Sequence, residues 1–159
     1  MNVYLTYDRY EHDEWYYVYN IETNKQRAIK NFKEVALVDF ISYGPDDCHS
    51  FQLQRIVMSA KEYNRLCYLV ENEGNHTCDT SDKLKELLIR IFDEDDEFEV
   101  ETLYFTDGCS DNWELIKFYC EEVGIDSEND DEFNQAQEML FNDEQLYEKM
   151  LRKYIKYAY

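Results

Sequence analysis

A chain of 159 residues has room for one sizeable core and excludes a large multidomain machine. Hydrophobic residues make up 44% of it and aromatics 16%, with one Pro and four Gly, which excludes a disordered acidic tail even though 36 acids against 16 bases leave a formal charge of −20. That sign disfavours direct binding to a nucleic acid backbone or an anionic membrane, and makes a basic protein surface the natural partner.

The chain opens on alternating Val3, Leu5 and Tyr7, which predicts a strand. A charged turn, Arg9 to Glu14, follows, and Trp15 to Ile21 is aromatic and β-branched enough to return as the second strand of a hairpin. Thr23 or Asn24 can cap a helix carrying Ala28, Ile29, Phe32, Val35, Ala36 and Phe40 at helical spacing, broken at Gly44-Pro45-Asp46-Asp47. Phe51 to Val57 predicts a third strand. Ser59 with Glu62 is a capping box for a second helix through Leu66 and Leu69 to about Asn72.

A polar loop over 72–81 leads to a third helix with Leu84, Leu87, Leu88, Ile91 and Phe92 on one side. Phe98 to Phe105 alternates as a fourth strand. Ser110 is the expected cap of the next helix, which carries Trp113, Ile116, Lys117 and Cys120 on one side and ends at Gly124. Asp126 to Glu132 is expected as an acidic connection. A last helical segment carries Phe133, Ala136, Leu140, Leu146, Met150, Leu151 and Tyr154, with a break near Asn142. The order β-β-α-β-α-α-β-α-α predicts an α+β fold, a small mixed or antiparallel sheet of about four strands packed with about five helices. We expect 1–159 to form a single domain, with a subdomain division, if any, near 72–81.

No stretch approaches the length of a membrane span, and the first residues lack the apolar core of a signal peptide, so a soluble protein of the cytoplasm is expected. Cys48, Cys67, Cys78, Cys109 and Cys120 are an odd set without CxxC spacing, which fits a reducing compartment. The Asn75-His76-Thr77 sequon then carries no sugar.

The charge is concentrated. Residues 1–92 net −4, residues 93–132 net −16 with Lys117 as their one base, and residues 133–159 net zero. The candidate partner-binding residues are therefore Asp93, Glu94, Asp95, Asp96, Glu97, Glu99, Glu101, Asp107, Asp111, Asp126, Glu128, Asp130, Asp131 and Glu132. Crowded carboxylates repel one another within a Debye length of about 8–10 Å, so a function is a reasonable motive for them. On a strand, Glu97, Glu99 and Glu101 would project on one side about 6.8 Å apart, close to the spacing of successive phosphates. Fifteen tyrosines exceed the needs of a core this size, and tyrosine favours interfaces.

Signatures of chemistry are sparse. The four glycines form no phosphate-binding loop. His12-Asp13-Glu14 lacks the P-C-x-x-C that a zinc deaminase needs. Cys48-His49 and His76-x-Cys78 match no common zinc module, and the calcium-like spacing of Asp126, Glu128 and Asp130 fails at Asp131 and Gln137. Neither catalytic nor metal-binding residues are assigned, no cofactor is expected, and the chain is read as a non-enzyme.

The segments Val3-Tyr4-Leu5-Thr6-Tyr7-Asp8, Glu11-His12-Asp13-Glu14, Tyr43-Gly44-Pro45-Asp46-Asp47-Cys48-His49-Ser50-Phe51 and Ser59-Ala60-Lys61-Glu62-Tyr63 resemble the opening of small proteins carried by phages and mobile elements of Gram-positive bacteria. The acidic remainder is similar in character to anti-restriction and anti-CRISPR inhibitors. The resemblance implies an inhibitor of a bacterial defence nuclease or CRISPR effector complex, acting in the host cytoplasm through a DNA-mimicking acidic patch. The alternative is an immunity or adaptor protein that blocks a toxin or a nuclease catalytic domain without mimicry.

Overall fold

The computed structural model describes residues 1–10, 15–45, 50–92 and 97–159. Among them the elements run β1 (Asn2–Tyr10), β2 (Trp15–Glu22), α1 (Lys25–Tyr43), β3 (Gln52–Val57), α2 (Ala60–Glu73), α3 (Asp82–Phe92), β4 (Glu99–Phe105), α4 (Gly108–Val123), α5 (Asp130–Phe141) and α6 (Glu144–Ala158). This is an α+β fold with one antiparallel four-stranded sheet in the order β2-β1-β3-β4. Six helices replace the expected five because the break foreseen near Asn142 is complete: Asn142 closes α5, and the Asp143 side chain accepts from Leu146 N to start α6. No helix among the described residues is long and apolar enough to cross a membrane.

The chain forms two compact units, one of Met1–Phe32 with Phe51–Phe105 and one of Lys33–Ser50 with Thr106–Tyr159. Residues 72–81, where a division was a possibility on sequence grounds, lie inside the first unit.

In the first unit, β1 lies between β2 and β3 and is buried on both faces from Val3 to Asp8. One face carries Val3, Leu5 and Tyr7, opposite Ile56, Gln54 and Gln52 of β3. It packs with Tyr16, Val18, Leu66, Leu69, Leu84, Leu87, Leu88 and Ile91, so α2 and α3 cover it. The other face carries Tyr4 and Thr6, and there the first two turns of α1 add Ala28 and Phe32 to the buried set, with the Phe32 ring 5.3 Å from Phe51 and 5.6 Å from Tyr104. Asn31 of α1 donates to Asn20 and Glu22 of β2. The expected Ser59 cap of α2 forms, Glu62 N donating to Ser59 Oγ, while Glu62 Oε2 accepts from the Ser59 hydroxyl, both at 3.2 Å.

The loop after α2 is more ordered than its composition implies. Asn75 O accepts from Val18 N at 2.8 Å, Thr77 N donates to Tyr16 O at 3.0 Å, and Thr77 Oγ1 accepts from Tyr16 N at 2.9 Å. The loop thus meets the outer edge of β2 at one isolated bridge, Tyr17 with His76, and the Asn75 side chain of the sequon is spent donating to Val18 O.

In the second unit, α4 buries Asn112, Leu115, Ile116, Tyr119 and Cys120. The expected stripe beginning at Trp113 is off by one position, and Trp113 itself is 52% exposed. Residues 112, 115, 116, 119 and 120 repeat at the same helical spacing one position earlier, and a polar Asn at the head disguised that phase. Asn112 is buried as a polar hub, donating to Pro45 O and accepting from Tyr147 Oη at 3.2 Å. Burial pushes the Tyr147 hydroxyl up to about 12.

Leu88 is fully buried between α3 and the sheet. Leu88→Ala should destabilise the first unit by about 2–5 kcal/mol. The check is urea unfolding followed through Trp15 in a Trp113→Phe background, since each unit holds one of the chain's two tryptophans.

Candidate functional site

Asp93, Glu94, Asp95 and Asp96 lie outside the described residues; the other ten acidic candidates divide between the two units. In the first unit Glu97, Glu99 and Glu101 surround β4, an edge strand. The strand begins at Glu99, so Glu97 precedes it and does not extend the row. Glu97 instead takes a two-pronged bond from Arg90 of α3, Nε to Oε2 at 2.8 Å and Nη2 to Oε1 at 2.9 Å. That guanidinium holds the Glu97 carboxyl below its ordinary pKa. Arg90 also reaches Glu62 and stacks over Phe98, 5.4 Å from the ring centre.

Glu99 and Glu101 do share a side of β4, since their partners across the ladder are Val57 and Arg55. Arg55 bridges them, Nε donating to Glu101 Oε2 at 2.8 Å and Nη2 to Glu99 Oε1 at 2.6 Å. These bonds, to Glu101 foremost, raise the arginine's own pKa. Two arginines therefore engage all three carboxylates of the expected phosphate-like row.

The second unit holds Asp107, Asp111, Asp126, Glu128, Asp130, Asp131 and Glu132. Asp107 starts α4: its carbonyl accepts from Asp111 N at 2.7 Å and its carboxylate from Ser110. The cap is thus Asp107, three residues before the expected Ser110, because the helix begins at Gly108. Asp111 is half-buried and already occupied. Its Oδ1 accepts from Tyr154 Oη at 2.8 Å, and both its oxygens accept from Tyr159 Oη at 2.9 Å. Desolvation raises the Asp111 pKa while the two tyrosine hydrogen bonds oppose the rise. Desolvation and the same carboxylate push both tyrosine hydroxyls up.

Asp126, Glu128, Asp130, Asp131 and Glu132 are all exposed. The acidic stretch expected as a connection becomes helical at Asp130, with Asn129 as the cap accepting from Asp131 N and Glu132 N. Asp126 Oδ1 accepts from Glu128 N, and Glu132 Oε2 reaches back to Asp126 N, both at 3.0 Å. The spacing that imitates a calcium loop is therefore turn and cap chemistry. Three acids in the first turn of α5 face the positive end of its dipole, which stabilises them without cancelling their charge. Among the described residues, none of these five carboxylates forms an ion pair.

Trp113 is the residue that sequence reading misplaced. Its exposed indole lies 4.5 Å, ring centre to ring centre, from Phe133, the residue directly after Glu132. An exposed aromatic thus stands beside an unneutralised acidic turn, within one unit. The signal was present in the alternative helical phase of α4, which leaves Trp113 on the outer side.

Cys48, His49 and His12 lie outside the described residues. His76 and Cys78 come together with Asp79. Comparison with known family models, curated proteins and solved structures finds no match.

Because the folded Asp111 pKa is raised, its contribution to stability is fully present below the unfolded value of about 3.9 and is lost as pH climbs through the folded pKa. Tyr154→Phe removes one hydrogen bond that restrains the rise. It should lift the Asp111 pKa further, steepen the loss and cost about 2 kcal/mol at neutral pH. Carboxyl-carbon NMR titration of Asp111 together with urea unfolding at several pH values measures both.

Proposed function

We propose that the protein is a binding inhibitor of a bacterial defence nuclease, of the anti-CRISPR or anti-restriction kind, which docks on a basic nucleic-acid-binding surface in the host cytoplasm. The observation that carries this reading is the acidic turn of the second unit, Asp126, Glu128, Asp130, Asp131 and Glu132, exposed, free of ion pairs among the described residues and flanked by Trp113. Carboxylates fixed by a helix terminus keep their field directed at solvent, where it steers a cationic partner and speeds encounter. An exposed indole resting on a buried ring is a suitable anchor for an arginine of that partner, since guanidinium stacks on aromatic faces. The protein's part is occupancy, without catalysis.

The β4 row supports mimicry less directly. Its carboxylates are engaged by Arg55 and Arg90, so a partner's lysines would have to compete with arginines already in contact. That favours keeping the second reading, an immunity or adaptor protein that holds a toxin or a nuclease catalytic domain by electrostatics alone. Saturating the partner and asking whether it still loads guide or target strand separates the two.

Against a panel of purified CRISPR effectors and restriction nucleases, Asp130→Lys with Asp131→Lys should slow association with the target at least about tenfold at low salt and flatten its salt dependence. Trp113→Ala should weaken affinity by about 2 kcal/mol, roughly thirtyfold, mainly through faster dissociation. Circular dichroism guards against loss of α5. Unchanged binding in both variants would remove the acidic turn from the mechanism, and a matching loss in Glu99→Gln with Glu101→Gln would transfer the role to β4.

A further inference from the structure

The loop between α2 and α3 brings three different donor types to one point. His76 Nδ1 lies 3.0 Å from Cys78 Sγ and 3.2 Å from Asp79 Oδ2, and the three donor atoms all fall within 4.8 Å of one another. The backbone that carries them is fixed, since Asn75 and Thr77 are hydrogen-bonded to β2 and Asp79 N donates to His76 O at 3.1 Å. The imidazole is flanked by Tyr17, Tyr10 and Trp15, at 5.5, 6.1 and 6.1 Å between ring centres.

A nucleophile–base–orienter relay does not account for the trio. Such a relay needs the thiol and the carboxylate on opposite ring nitrogens, whereas here both approach Nδ1 most closely, the thiol at 3.0 Å against 3.5 Å to Nε2. Groups that compete for one nitrogen are better reconciled by a cation placed between them. We infer that His76, Cys78 and Asp79 form a zinc-class metal site with an open fourth position.

The ligand chemistry selects the metal. One thiolate and one imidazole favour a borderline cation over magnesium or calcium, and three protein ligands leave a coordination position for water or an added donor. With metal bonds of about 2.0–2.3 Å, tetrahedral donor atoms stand about 3.3–3.6 Å apart, so the two short separations open by a few tenths of an ångström. The widest pair closes by about 1 Å, a rotation open to the Asp79 side chain, which is 80% exposed.

The test uses the full chain, stripped with chelator and titrated with zinc by calorimetry and with cobalt by absorption. The expected result is one zinc per chain with a Kd tighter than about 10 µM, together with thiolate-to-cobalt charge-transfer absorption. Cys78→Ser should abolish that absorption, and both Cys78→Ser and His76→Ala should weaken zinc at least tenfold while circular dichroism is retained. Absence of the charge-transfer band overturns the site. So does zinc uptake that is unchanged in both variants, which would assign the metal to the acidic surface at large; if His76→Ala misfolds, Cys78→Ser with Asp79→Asn decides the matter alone.

Discussion

β1 loses water on both faces, and the first unit is built around that constraint. A strand desolvated on two sides must have its backbone paired on both edges and its side chains covered above and below. β2 and β3 supply the edges, α2 and α3 one cover, and the start of α1 adds buried apolar groups on the other. Polar side chains within this setting are tied into networks: Tyr7 Oη donates to Gln54 Oε1 at 3.0 Å and accepts from Gln52 Nε2 at 2.8 Å, while Gln54 donates onward to Thr102. The network fixes β3 and β4 in register, and with them the positions of Arg55, Glu99 and Glu101.

Excess negative charge is handled by two different devices. In the first unit arginines from elements distant in sequence are shared between carboxylates, Arg55 between two and Arg90 between Glu62 and Glu97. In the second unit, beside the pairs Lys117–Glu114, Arg152–Glu148 and Lys153–Glu122, backbone amides at turns and helix starts also receive carboxylates, as at Asp107, Asp126, Glu132 and Asp143. The first device consumes charge and the second only anchors it. This difference makes the α4–α5 turn, more than β4, the stronger source of field.

Local signals were legible because they act over three or four residues. The Ser59 cap of α2, the Gly124 stop at φ 75° and the break at Asn142 all belong to this kind. Where two local solutions compete, the reading slipped: Ser110 and Asp107 can both cap α4, and a polar Asn112 at the head of the buried stripe shifted its phase and hid Trp113. Charge could be located by counting, yet its neutralisation could not, since Arg55 meets its partners across 44 and 46 residues through a strand ladder. The docking of residues 75–77 on β2 uses mostly backbone groups, which leave no periodic mark on the side chains.

That docking has a bearing on how the molecule behaves when concentrated. An open sheet margin is a template on which a second chain can nucleate, and repeated growth from such margins ends in fibrils. Here part of the margin at β2, from Tyr16 to Val18, is already occupied by the molecule's own loop. The sheet is thereby shielded along part of one end by its own sequence, a form of colloidal self-protection for a tyrosine-rich domain.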